Sequence, residues 1–230
     1  RAALQAEIEQ KQKLAKVPAA PRLTPVTSSK TVDAFDVQAD SVGAPVSGYL
    51  ARPKGAMLKS LPAILTVHGA GVQSSSLGGA ESWAGRGFIA MDMNAHGLPN
   101  GKPKEFYKEQ NDGPLKDYRI AGRESRETNY FLGMFLRLVR GIDVLTAQPE
   151  WDGKTVVVFG SSQGGYQAIV AAGLDRRVTF FGAGLLAFLG AGFAAGFFAG
   201  AFLGAGFFAA FFAAFAFFAI DSSWENVFDA

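Results

Sequence analysis

Thr155-Val156-Val157-Val158-Phe159-Gly160-Ser161-Ser162-Gln163-Gly164-Gly165 joins a buried apolar strand, a Gly/Ser turn and the start of a helix. The β-branched run into Phe159 suits a strand covered on both faces. Gly160-x-Ser162-x-Gly164 has the spacing of a nucleophile elbow, a sharp strand-to-helix turn that holds a serine in a strained conformation. The spacing has a steric cause. The turn is so tight that the positions two before and two after the serine must be small. The hydroxyl then stands clear of the sheet, at the positive end of the next helix. The alternative reading of the same letters is a Gly/Ser-rich turn without chemistry. The strand on one side and the helix on the other favour the elbow.

Outward from this stretch, short apolar runs alternate with helical patterns. Residues 31–38 and 46–51 alternate and read as strands. Residues 62–67 form a buried strand that runs into His68-Gly69-Ala70-Gly71, and residues 87–93 form another that ends at Asn94-Ala95-His96-Gly97. Residues 76–86 read as a helix. Residues 128–148 carry Phe131, Met134, Phe135, Leu138, Val139, Ile142 and Leu145 at helical spacing, the pattern of a core-facing helix rather than a cofactor box. Residues 154–159 give the elbow strand, 163–174 its helix, and a further strand starts at Arg177. Apolar strands alternating with helices predict an α/β fold with a mostly parallel sheet and flanking helices. Loops at the strand C-terminal ends then meet along one edge, where open α/β sheets place ligands.

The rest of the chain divides by composition. Residues 1–16 carry alternating charge and read as a solvated helix; residues 17–30, rich in Pro, Ser and Thr, read as a linker. Residues 97–128 are a long polar excursion, with Lys102, Lys104, Lys108 and Lys116 read as solvated surface and a substrate lid as the alternative. Trp151 and Asp152 are expected to fix the turn before the elbow strand. Residues 180–220 contain only Phe, Ala, Gly and Leu before Ile220, and no charged residue lies between Arg177 and Asp221. That apolar length suits a membrane span, and Gly192, Gly196, Gly200 and Gly204 fall at the spacing of close-packed membrane helices. So narrow a residue set also reads as low-complexity sequence. The expected organisation is an N-terminal helix and linker over 1–30, a catalytic-type core over 31–182, and an apolar tract with a short polar tail over 183–230.

Whole-chain numbers exclude several functions. The 230 residues carry a net charge of +2 without a basic stripe, which points away from nucleic acid. There are no cysteines, so disulfides and thiolate metal sites are ruled out, and two histidines are too few for a histidine-built metal centre. The first residue is Arg1 rather than Met and no signal peptide is visible, so the expectation is a fragment or mature form.

An elbow serine needs a base, and in this architecture the order is Ser, then Asp or Glu, then His. Asp175, Asp221, Glu225 and Asp229 follow Ser162, but no histidine does. His68 and His96 precede it, each after a predicted strand. Recruitment of either as base runs against the chain order, so each is expected to hydrogen-bond within its own loop. Asp221 reads as a solvated residue, with a triad acid as the alternative. The His68–Gly71 segment has the form of a loop that completes an oxyanion hole, with the N–H of Ala70 and the N–H of Gln163 as donors.

Three motifs now carry a resemblance. Met91-Asp92-Met93-Asn94-Ala95-His96-Gly97, the segment Leu145-Thr146-Ala147-Gln148-Pro149-Glu150-Trp151-Asp152-Gly153-Lys154, and Gly160-Ser161-Ser162-Gln163-Gly164-Gly165 are together similar to the acetyl xylan esterase and cephalosporin-C deacetylase family of α/β-hydrolases. The similarity covers roughly residues 40–182 and implies a truncated α/β-hydrolase with an atypical Phe/Ala/Gly-rich C-terminal tract. It implies Ser162 as nucleophile and Gln163 and Ala70 as oxyanion donors, although more typical members have tyrosine at the Ala70 position. It further implies hydrolysis of acetyl esters on xylan, xylo-oligosaccharides or small molecules, no metal or organic cofactor, a secreted or periplasmic location, and frequent oligomers. The family continues past this point with strands that bear the acid and the histidine; here the apolar tract follows instead. The expectation is a serine esterase that is catalytically incomplete as this chain stands. A membrane-anchored non-catalytic binding module or pseudoenzyme is the alternative.

Overall fold

A computed structural model describes residues 13, 14 and 16–184. The expected tract beyond residue 184, with Asp221 and the proposed membrane span, lies outside the described residues, as do residues 1–12. Among the described residues no helix is long and apolar enough to cross a membrane.

Among the described residues seven strands form one sheet: β1 (Arg22–Val26), β2 (Val32–Ala39), β3 (Val46–Pro53), β4 (Leu61–Val67), β5 (Ile89–Met93), β6 (Trp151–Ser161) and β7 (Phe180–Gly184). Their order is β1-β2-β3-β5-β4-β6-β7. β5, β4, β6 and β7 pair in parallel, and β1, β2, β3 and β5 pair antiparallel in turn. Two antiparallel steps bring β2 back to the direction of β5, so only β1 and β3 run against the other five. The sheet is therefore mostly parallel, as the alternation predicts. The parallel half carries the site.

Strand parity divides the core into two layers. Val37, Ala39, Val46, Leu50, Leu65, Met91, Met93, Val156 and Val158 face one side. There they meet α3 (Tyr130–Thr146) and α4 (Gln163–Leu174). Met134, Leu138, Ile142 and Leu145 of α3 are fully buried, the face that the sequence periodicity predicts. Val32, Ala34 and Ala51 face the other side, against Ala80 and Ala84 of α1 (Leu77–Ala84). α1 starts where Ser76 accepts a hydrogen bond from the N–H of Gly79. Asp92, at the β5 end, accepts from the N–H of Ser76 and so fixes that helix to the sheet.

Four expectations are corrected. The 17–30 linker contains β1, an edge strand paired only with β2 among the described residues, with Pro25 opposite Phe35. Proline lacks the ladder donor, so an edge is where it fits. The polar excursion contains α2 (Lys104–Asp112), whose Tyr107 is buried and donates to the carbonyl of Pro99. The N-terminal segment is not wholly solvated: Leu14 is buried, and Arg140 donates to the carbonyls of Leu14 and Val17 at 2.7 and 2.6 Å. The final strand starts three residues later than predicted, at Phe180, because Arg177 is held by Asp175 and Asp143. Trp151 and Asp152 act as expected. The Trp151 indole donates to the carbonyl of Thr155, and the Asp152 carboxylate accepts from the N–H groups of Lys154 and Thr155.

Candidate active site

Ser162 sits between β6 and α4 with φ 53° and ψ −124°, a strained conformation for a residue with a side chain. Its carbonyl accepts the first helical bond, from the N–H of Tyr166 at 3.0 Å, so the N-terminal amides of α4 point toward it. The flanking glycines are required by contact. A Cβ on Gly160 would lie 2.4 Å from the carbonyl carbon of Gly164, and one on Gly164 would lie 2.3 Å from the oxygen of Val67. The G-x-S-x-G spacing thus encodes the approach of α4 to the ends of β6 and β4.

The loop after β4 crosses this turn. A Cβ on Gly69 would stand 3.4 Å from the carbonyl oxygen of Ser161 and 3.8 Å from Cβ of Ser162. Gly71 has φ 124°, a value that L side chains rarely adopt. Ala70 and Gln163 are therefore on segments that meet beside Ser162.

The His68 ring is held both within its own loop, as expected, and to the loop after β5, whereas the His96 ring is held entirely by other segments. His68 Nδ1 faces the carbonyl of Gly69 at 2.7 Å, and its Nε2 accepts from the N–H of Ala95 at 3.2 Å. Nδ1 must then carry the proton. His96, 3% exposed, has the opposite tautomer. Its Nε2 donates to the carbonyl of Gly71 at 3.1 Å, and its Nδ1 accepts from the Tyr130 hydroxyl at 2.9 Å. Burial lowers the pKa of both rings, that of His96 to about 4, so both are neutral at pH 7. No hydrogen bond from either ring to Ser162 is present among the described residues.

The loop after β5 is equally fixed. Asn94 donates to the carbonyl of Gln73 and accepts from the N–H groups of His96 and Leu98. Arg137 of α3 donates from Nε and Nη2 to the carbonyl of Ala95, at 3.1 and 2.8 Å. Burial lowers its pKa to about 10, which still leaves the guanidinium charged at pH 7. The contribution missed in the sequence is Tyr118, from the polar excursion. It is 4% exposed, its ring meets the His96 ring edge-on at 4.6 Å, and its hydroxyl donates to Oε1 of Gln163 at 2.7 Å. Nothing local marks it, because its neighbours are polar. Lys102, Lys104, Lys108 and Lys116 are exposed, as read. Asp175 caps the far end of α4, where its carboxylate is held by Arg177 at 2.6 and 2.9 Å.

Residues 8–189 match the sequence profile of the acetyl xylan esterase (AXE1) family. Acetyl esterase Axe7A of Xylanibacter ruminicola is 37% identical over 172 residues, which cover 69% of this chain and 38% of that protein. The fold matches an acetyl xylan esterase from Paenibacillus sp. R4 with a TM-score of 0.66 at 24% identity, over 77% of this chain and 57% of that one. It matches acetyl xylan esterase 1 from Thermoanaerobacterium sp. with a TM-score of 0.64 at 20% identity, over 77% and 56%. The chain thus spans little more than half of these solved relatives and about two fifths of the curated one. The profile match covers most of the 230 residues and includes both the elbow and the loop that crosses it: the chain belongs to the acetyl xylan esterase family.

Proposed function

We propose that residues 31–182 form the nucleophile and oxyanion half of a carbohydrate acetyl esterase site. Ser162 Oγ attacks the acetyl carbonyl, and the N–H groups of Gln163 and Ala70 receive the developing oxyanion. The observation that carries this reading is the strained Ser162, locked by glycines that touch backbone and crossed by the Gly69 loop. Two preorganised donors aimed at such an oxygen contribute about 3 kcal/mol each when water is excluded. The substrate class is an acetyl ester on xylan, a xylo-oligosaccharide or a small molecule, and a secreted or periplasmic location would suit it.

The 230-residue chain is catalytically incomplete on this reading. No histidine follows Ser162, and His68 and His96 are neutral rings whose nitrogens already face partners. A base supplied from solution should therefore restore part of the rate. The test is hydrolysis of 4-nitrophenyl acetate by the chain and by Ser162→Ala, with and without added imidazole. We expect a Ser162-dependent increment that appears or grows with imidazole. Equal rates for both proteins under every condition would end the nucleophile assignment. Fast turnover without imidazole would end the claim of incompleteness.

A further inference from the structure

The geometry points to Tyr118 as a positioning residue that sets the separation of the two oxyanion donors. This inference rests on the esterase reading above. The two N–H groups come from segments far apart in sequence, Ala70 after β4 and Gln163 at the start of α4. The Tyr118 hydroxyl touches both segments: it accepts from the N–H of Gly71 at 3.3 Å and donates to Oε1 of Gln163 at 2.7 Å. The Gln163 amide has a fixed orientation, because its Nε2 faces Sδ of Met134 at 3.9 Å.

Gly71 is gripped from the other side as well. Its carbonyl accepts from Nε2 of His96, whose Nδ1 accepts from the Tyr130 hydroxyl. The buried Arg137 guanidinium, which donates to the carbonyl of Ala95 next to His96, also favours the ionised form of Tyr130. Every link runs in one direction, because its ends permit no other. A carbonyl can only accept, so His96 must donate to Gly71. The Gly71 N–H must donate to Tyr118, which leaves the Tyr118 proton for Gln163. A chain with one allowed direction has one arrangement of protons and so one geometry. It starts at Tyr130 and ends one residue from the nucleophile. Tyr118 is the only member contributed by the 97–128 excursion, and this is the physical role that segment has at the site.

Tyr118→Phe keeps the ring against His96 and deletes both hydroxyl bonds. The full chain carrying it is compared with its parent by amide NMR and by imidazole-supported hydrolysis of 4-nitrophenyl acetate. We expect hydrogen exchange at the Gly71 amide to quicken about tenfold and the Ala70, Gly71 and Gln163 amide resonances all to move. The Ser162-dependent kcat should fall about tenfold, with KM changed by less than about twofold. Gln163→Ala removes the acceptor of the Tyr118 proton while it keeps the backbone donor. It should shift the Ala70 resonance in the same way, and it decides the matter should Tyr118→Phe not fold. Unmoved Ala70 and Gln163 resonances would overturn the proposal, as would an intact kcat alongside moved resonances. A parent without Ser162-dependent activity would instead strike the esterase reading, and the resonances alone would then judge the clamp.

Discussion

Replacement of Gly164 by alanine should be severe, although its backbone is compatible with any residue. The added Cβ would stand 2.3 Å from the oxygen of Val67, 2.7 Å from that of His68 and 3.0 Å from the Val67 carbonyl carbon. A relaxed carbon-to-oxygen contact is about 3.3 Å, so α4 must retreat from β4 by about 1 Å. No side-chain rotation can relieve this, since every atom met is backbone of the central sheet or its exit loop. Overpacking typically costs 1–3 kcal/mol, and the rigid neighbours put this case near the top, about 3 kcal/mol. For a domain of this size that lowers the melting temperature by roughly 6–12 °C. Gly173, on the same helix, is the internal control. Its Cβ would meet nothing within 4 Å, so alanine there should stabilise by about 0.5–1 kcal/mol. Far-UV circular dichroism melts and urea midpoints of both variants measure the contrast. If Gly164→Ala melts with the parent, the reasoning from the elbow contact is wrong.

Acid should destabilise the protein in a window set by the histidines. His96 titrates at about 4 when folded and near 6.5 when unfolded, so the unfolded chain binds the extra proton between those values. Stability is then complete above pH 6.5 and falls toward pH 4, by about 3 kcal/mol for His96 alone, with His68 acting in the same sense and the raised Asp92 against it at the acid end. Denaturant titrations of the parent and His96→Gln across pH 4–7 should show a shallower slope in the variant; equal slopes would refute the assignment. Asp175→Asn should cost about 2 kcal/mol, from its bonds to Arg177, and leave the Ser162-dependent rate unchanged. A lost rate with unchanged stability would instead make Asp175 part of the catalytic machinery.

The features legible in the sequence are those encoded locally. The elbow is readable because its glycines answer contacts within one turn and the next strand end. α3 is readable because a helix facing a sheet must repeat its apolar residues, and Met134, Leu138, Ile142 and Leu145 do so. β1 was hidden by Pro21 and Pro25, which argue for a linker unless the strand is known to lie at an edge. α2 has no apolar stripe, and its buried Tyr107 gives no period. Of the histidine partners only the Gly69 carbonyl, in the loop of His68 itself, was legible. Gly71, Ala95, Tyr130 and Tyr118 reach His68 and His96 only through the sheet order, which brings the β4 and β5 exits together.

The contact of Gly164 with the carbonyls of Val67 and His68 also has a kinematic meaning. It seats the α4 terminus and the β4 exit on a common mount. Thermal displacement of β4 carries Ser162 and the Ala70 loop together, as a tripod carries two instruments. Their relative position fluctuates less than either one moves against the rest of the molecule. A site that must hold an oxygen between two segments depends on that difference of motions, not on the stillness of the whole fold.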